Sequence, residues 1–253
     1  MEHRRRILTL HLFATYIDRG PVAVAMCGRY SLFADRSDLE ARFGATFEFA
    51  FEPRYNAAPG QKLPVVADDD PDSVRRLEWG FVPRWANDAG ERHINARSET
   101  VADKPAFAEA YERRRCLVLA DGFYEWAETD GGTRPYRVAF EDDRPFAMAG
   151  IWDRWTPQTR QVGLDDFGEE SAGASDPEPI ETFAVLTSEP NEVVEPLHHR
   201  MAVVLAPEEE KAWLDGGDVS FEPAPAEPFR SYPVSTAVNS PSNDRPDLVR
   251  PIE

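Results

Sequence analysis

Lysine is nearly absent from this chain. Only Lys62, Lys104 and Lys211 occur among 253 residues, and every other basic side chain is an arginine. Cysteine is as scarce, with Cys27 and Cys116 alone. Two cysteines build no disulfide framework, so stability must come from packing. Neither a C-x-x-C nor an H-E-x-x-H pattern occurs, and no glycine-rich phosphate loop follows a strand, so no metal or cofactor is expected. No apolar run is long enough to cross a bilayer. Positive charge is outweighed throughout: the formal net charge is −18. Such a balance opposes general affinity for polyanions unless the arginines gather in one groove. An acidic, lysine-poor chain suits a salty cytoplasm.

What is present is an ordinary apolar content of 42 % in a chain long enough for one large domain. Residues 37–44, SDLEARFG, predict a short helix with a polar N-cap and a glycine stop. Residues 54–69 read as a Pro/Gly loop leading into a strand, and 75–85 as a strand ending in an aromatic turn. A helix is expected around 104–112, a strand over 115–120, and further strands at PYRVAF, PFAMAGIWDRW and ETFAVLTSEP. HHRMAVVLAPEEEKAWLD predicts a strand and then a helix near Pro207. Residues 156–180 are acidic and aperiodic, an expected insertion loop. Residues 236–253 are polar and proline-rich, an expected loose tail. Short strands with few helices predict an α+β domain over 26–235, built on a mixed or antiparallel barrel-like sheet with flanking helices.

The first 25 residues open on a basic cluster, pass through a short apolar run and end on Ala-Val-Ala, the outline of a secretory signal. His11 and Asp18 interrupt that outline, and cleavage after Ala25 would leave Met26 first. The preferred reading is translation starting at Met26, so that removal of this methionine exposes Cys27. A removable pro-segment is the other route to the same terminus.

Four polar positions stand beside apolar strands. Cys27 precedes Gly28 and Arg29; alone it reads as a buried thiol. Asn95 lies two residues before Arg97. Glu125 sits between Tyr124 and Trp126, where burial would raise a carboxylate pKa. His198, His199 and Arg200 precede an apolar strand. Cys116 sits inside an apolar run and reads as core.

Together, MCGRYSLF, RYNAAPGQ, EWGFVPRW, INARSET, CLVLADGFYEW and HHRMAVVL resemble, in order and spacing, the SOS-response-associated peptidase family. The resemblance covers roughly residues 26–215. It implies a protein that links covalently to abasic sites in single-stranded DNA, with Cys27 as nucleophile after loss of Met26 and Asn95, Glu125 and His198 as its partners. It further implies DNA contacts from Arg29, Asn56, Pro59, Trp79, Trp85, Arg97 and Arg200. Arginine suits phosphate, and aromatic rings suit unstacked bases. Ala202 stands where the family carries proline. A cytoplasmic monomer with no membrane partner is expected. Conventional thiol protease action and non-covalent single-strand binding are the competing readings.

Overall fold

A computed structural model describes residues 27–90, 92–157 and 177–253. The leader and most of the expected acidic insertion lie outside the described residues. In chain order the elements are β1 (Tyr30–Leu32), α1 (Arg36–Phe43), β2 (Thr46–Phe47), β3 (Arg54–Ala57), β4 (Lys62–Ala67), β5 (Asp70–Trp79) and β6 (Asn95–Arg97). There follow α2 (Ala108–Arg113), β7 (Arg115–Ala120), β8 (Gly122–Thr129), β9 (Gly132–Phe140), β10 (Phe146–Trp155) and β11 (Ile180–Ser188). The last are β12 (Met201–Ala202), α3 (Pro207–Leu214) and β13 (Phe229–Pro233).

Strands β5, β4, β7, β10 and β11 pair in that order, and a parallel pairing of β11 with β5 closes them into a barrel. Thr182 stands against Glu78 and Phe183 against Trp79 at the closure. A second sheet runs β13–β9–β8–β1–β3 and is antiparallel throughout. The fold is thus α+β, a single domain with few helices, as expected.

The apolar run of β7 shows how the layers are sorted. Cys116, Val118 and Ala120 join one core cluster, which also takes Tyr30, Phe123 and Val138 from the second sheet. Leu117 and Leu119 join another, with Leu39 of α1, Ala110 of α2 and Trp213 of α3. A strand covered on both faces reads as a continuous apolar stretch, because alternate side chains both find a core. The predicted helix at 37–44 forms, and Gly44 ends it at φ 67°, a left-handed conformation that glycine adopts without penalty.

The stretch after 235, expected to be loose, is instead tied down. Val234, Val238 and Leu248 are buried against Tyr124. Asn56 donates to the carbonyls of Val238, Ser240 and Asn243, and Asp244 accepts from the backbone of Tyr55 and Asn56. Side chains thereby satisfy a backbone whose regular structure is limited to short 3-10 turns at Thr236–Asn239 and Pro246–Val249, and so a polar segment can be ordered.

Candidate active site

The site is assembled from three parts of the chain. The first is the segment leading into β1. In the β1–β8 pairing Tyr30 stands opposite Phe123, and the Tyr124 amide donates to the Arg29 carbonyl. That register carries Cys27 and Gly28 alongside Glu125. The second part is β8 itself, where Glu125 points away from solvent with 0 % exposure. The third is the turn before β12, which brings His198 to the same place: its Nδ1 lies 4.0 Å from Glu125 Oε2.

Cys27 is 3 % exposed, and burial pushes its thiol well above the ordinary range, with Glu125 adding to the effect and the Ala202 amide opposing it. The resting thiol therefore keeps its proton at neutral pH. Cys27 also has φ 41°, in the left-handed region that costs a non-glycine residue about 1–2 kcal/mol. Glu125 is pushed up to about 8 by burial, and the Cys27 thiol and amide only partly offset this. Neither of its oxygens has a full hydrogen bond among the described residues. A buried carboxyl so weakly partnered is costly, and it sits near the pKa that suits proton transfer at neutral pH.

His198 is held by the backbone of Arg200. The Arg200 N–H donates to Nδ1 at 3.1 Å, and the Arg200 carbonyl oxygen lies at the same distance. The N–H pairs with Nδ1 when the ring proton sits on Nε2, and the carbonyl pairs with Nδ1 when the proton sits there. Burial lowers the His198 pKa, which keeps the ring neutral at pH 7. Asn95 opens β6, whose pairing with β11 sets it opposite Val185. The end of β11 pairs with β12, so Asn95 and the Ala202 amide share one supporting strand.

The expected DNA contacts divide. Arg97 and Pro59 are exposed, and Trp85 is 58 % exposed beyond the end of β5. Arg29 is half-buried and donates to Asn56 Oδ1 and to the carbonyls of Val238 and Asn239. Arg200 is buried and bonds both oxygens of Glu99 and the Thr187 carbonyl. Two expectations are corrected. Trp79 is 1 % exposed, packs on Phe183 and Tyr30 and donates to the Ile94 carbonyl, so no base can stack on it. Asn56 is fully buried, and its amide is consumed in holding the C-terminal segment. The sequence reading also missed Glu99. It stands inside the INARSET motif, where an acidic residue two positions after Arg97 was the available signal.

This closed barrel with a second sheet, and a buried thiol, carboxyl and imidazole brought together at its edge, defines a single-domain α+β protein with one candidate active site. The chain belongs to the SOS response associated peptidase family, whose model it matches over residues 26–241. It is 34 % identical over 239 residues to the abasic site processing protein YoqW of Bacillus subtilis, covering 88 % of this chain and 99 % of that one. It is 33 % identical to the abasic site processing protein HMCES of Gallus gallus, covering 81 % of this chain and 68 % of that one. Among solved structures, a protein from Bacteroides thetaiotaomicron superposes with a TM-score of 0.74 at 26 % identity, covering 90 % of this chain and 100 % of that one. Among the described residues no helix is long and apolar enough to cross a membrane.

Proposed function

We propose that this protein captures abasic sites in single-stranded DNA by condensing the sugar aldehyde with Cys27 as its N-terminal residue. The observation that carries this reading is the buried carboxyl of Glu125, which has only the Cys27 thiol and amide and a histidine beside it. An α-amine has a pKa near 8, so a useful fraction is neutral at pH 7. It attacks the aldehyde carbon of the ring-opened sugar, and loss of one water leaves an imine. The Cys27 sulfur then bonds to the imine carbon, and its proton passes to the nitrogen, closing a five-membered thiazolidine. Holding amine and thiol on adjacent carbons makes the second step intramolecular.

Glu125 moves the protons. Its pKa of about 8 lets it give a proton to the departing hydroxyl and take one from the thiol at the same pH. His198, neutral at pH 7, stands beside Glu125 as the second proton carrier. Asn95 holds the opened sugar by hydrogen bonds. Arg97 meets a phosphate, while Trp85 and Pro59 meet bases. No base-edge readout is expected, so capture is independent of sequence.

The same groups account for exposing the terminus when a leader is attached. The Cys27 sulfur attacks the Met26 carbonyl, the peptide nitrogen leaves as the free α-amine, and water hydrolyses the resulting thioester. Cleavage also releases the left-handed φ at Cys27, because a terminal residue has no preceding carbonyl to clash with.

Intact mass decides the reading. A chain beginning at Cys27, incubated with single-stranded DNA bearing one abasic site, is expected to gain the mass of the DNA less one water. Cys27→Ala gains nothing. Unchanged mass from a chain that does begin at Cys27 overturns the proposal.

A further inference from the structure

The His198 main chain is held by its amide, which donates to the Val194 carbonyl at 2.9 Å, but its ring is held through Arg200. Both hydrogen-bond contacts to Nδ1 come from the Arg200 backbone. The N–H serves a ring with a bare Nδ1, and the carbonyl accepts from a ring that carries a proton there. Where the ring sits therefore depends on where Arg200 is pinned. The Arg200 guanidinium is buried, donates to the Thr187 carbonyl at 2.5 Å and makes a two-pronged ion pair with Glu99. Glu99 is anchored in turn. It lies two residues beyond the end of β6, and the Ser98 amide between them donates to the Thr187 carbonyl at 2.9 Å. One carboxylate thus joins the strand that carries Asn95 to the turn that carries His198.

We propose that Glu99 is a positioning residue for His198, acting through Arg200 and touching neither DNA nor the reacting atoms. This rests on the reading of Cys27, Glu125 and His198 as the reacting constellation, and it adds a residue to that machinery. The pair is asymmetric. The Glu99 side chain is 49 % exposed, whereas that of Arg200 is 9 % exposed. An exposed ion pair would be nearly dispensable. Here, removal of the exposed partner leaves a buried cation without compensation, and the turn must move or rehydrate. Arg200 also bears on the His198 pKa in two ways: burial is the main cause that lowers it, the Arg200 backbone contact opposes this, and the charges of His199 and then Arg200 add to the lowering. The charged and titratable groups facing His198 are Glu125 on β8 and His199 and Arg200 on its own turn.

The test reads His198 without DNA. Protein labelled with 15N at histidine is titrated by NMR as wild type, Glu99→Ala, Glu99→Gln and Glu99→Asp. Wild type is expected to show one neutral tautomer with a midpoint below the ordinary histidine value. In Glu99→Ala the uncompensated Arg200 should lower the midpoint by roughly half a pH unit, with both tautomers populated. Glu99→Asp should restore the wild-type tautomer, and Glu99→Gln, which keeps the shape but loses the charge, should fall between. In parallel, the maximal rate of DNA linkage should fall about tenfold in Glu99→Ala at unchanged half-saturating DNA, the signature of a lost positioning contact. An unaltered His198 midpoint and tautomer in both Glu99→Ala and Glu99→Gln overturns the proposal. A loss confined to half-saturating DNA also overturns it, because Glu99 would then act on binding. If wild-type protein forms no link with DNA, the functional reading fails, and the histidine titration still decides the role of Glu99.

Discussion

Asp121 and Glu125 lie four residues apart, just before β8 and within it, and both are fully buried. Their surroundings are opposite. Asp121 accepts from the Ser31 hydroxyl, from the amides of Phe33 and Ala34, and from Arg137, whose guanidinium is itself 1 % exposed. Glu125 has no such set, only the Cys27 thiol and amide and a histidine 4.0 Å away. Burial raises the pKa of both, but Arg137, Ser31 and the two amides pull Asp121 back, and Glu125 reaches about 8. The same residue class, at the same depth, is thus a structural strut in one place and, in the proposed reaction, a proton carrier in the other. The difference is made by the neighbours. Asp121 and Arg137 fix β1 and β8 against one another, and through them the register that brings Cys27 to Glu125. The packing there is close: a Cβ at Gly122 would lie 2.7–2.8 Å from the Arg137 guanidinium.

The comparison breaks first at Asp121. Asp121→Ala leaves the amides of Phe33 and Ala34 without their acceptor and takes one carboxylate from Arg137, which keeps Asp143 and the Tyr232 hydroxyl, so the loss should stay below the full cost of a broken buried pair, about 3–5 kcal/mol. Chemical unfolding should show that loss, with an unchanged slope against denaturant if the native state is otherwise intact. A loss under about 1 kcal/mol would mean that water rescues Arg137 and that the strut carries little.

Glu125 should respond in the other direction. Its folded pKa of about 8 lies above the usual carboxylate value, so the folded state holds a proton that the unfolded state has released. The contribution is fully present below about pH 4.5 and is lost as pH rises to about 8, a decline of a few kcal/mol. Glu125→Gln cannot ionise and should flatten this part of the pH–stability profile, raising stability at pH 8 relative to wild type. Linkage to abasic DNA should fall by about 10²–10⁴-fold, as for loss of a general acid–base group. Melting curves from pH 5 to 9 check the first part and single-turnover linkage the second. An equal pH dependence in wild type and variant would place Glu125 in a solvated or paired environment.

These two carboxylates also mark how far the sequence could be read. The motif around Glu125 made it a candidate for a raised pKa, because a lone acid between Tyr124 and Trp126 follows an unbroken apolar strand, but strand alternation left an outward-facing side chain as the equal alternative. Nothing local announced that Asp121 would meet Arg137, sixteen residues on, because that contact exists only once β8 and β9 pair. The apolar run of β7 and the glycine-stopped helix α1 were legible for the same local reason. The barrel closure was not: β5 and β11 are about a hundred residues apart, and their parallel pairing leaves no mark on either segment. Orientation was the commonest blind spot. Trp79 and Asn56 were readable as polar or aromatic positions near the site, but a strand turns alternate side chains to opposite faces, and both face inward here.

Arg97 sharpens the comparison from the solvent side, with the smallest effect. It is exposed at the end of β6, two residues beyond Asn95, whereas Arg200 is spent on Glu99. A phosphate contact made by an exposed arginine in water is weak and screened by salt. Arg97→Ala should therefore raise half-saturating DNA by about threefold to tenfold near 0.05 M salt, with the maximal linkage rate unchanged. In molar salt the variant and wild type should converge, because screening has already removed what the arginine supplied. The covalent step should persist there, since bond formation at Cys27 does not depend on phosphate attraction. A variant whose deficit grows with salt, or appears in the maximal rate, would place Arg97 among the groups that orient the sugar beside Asn95.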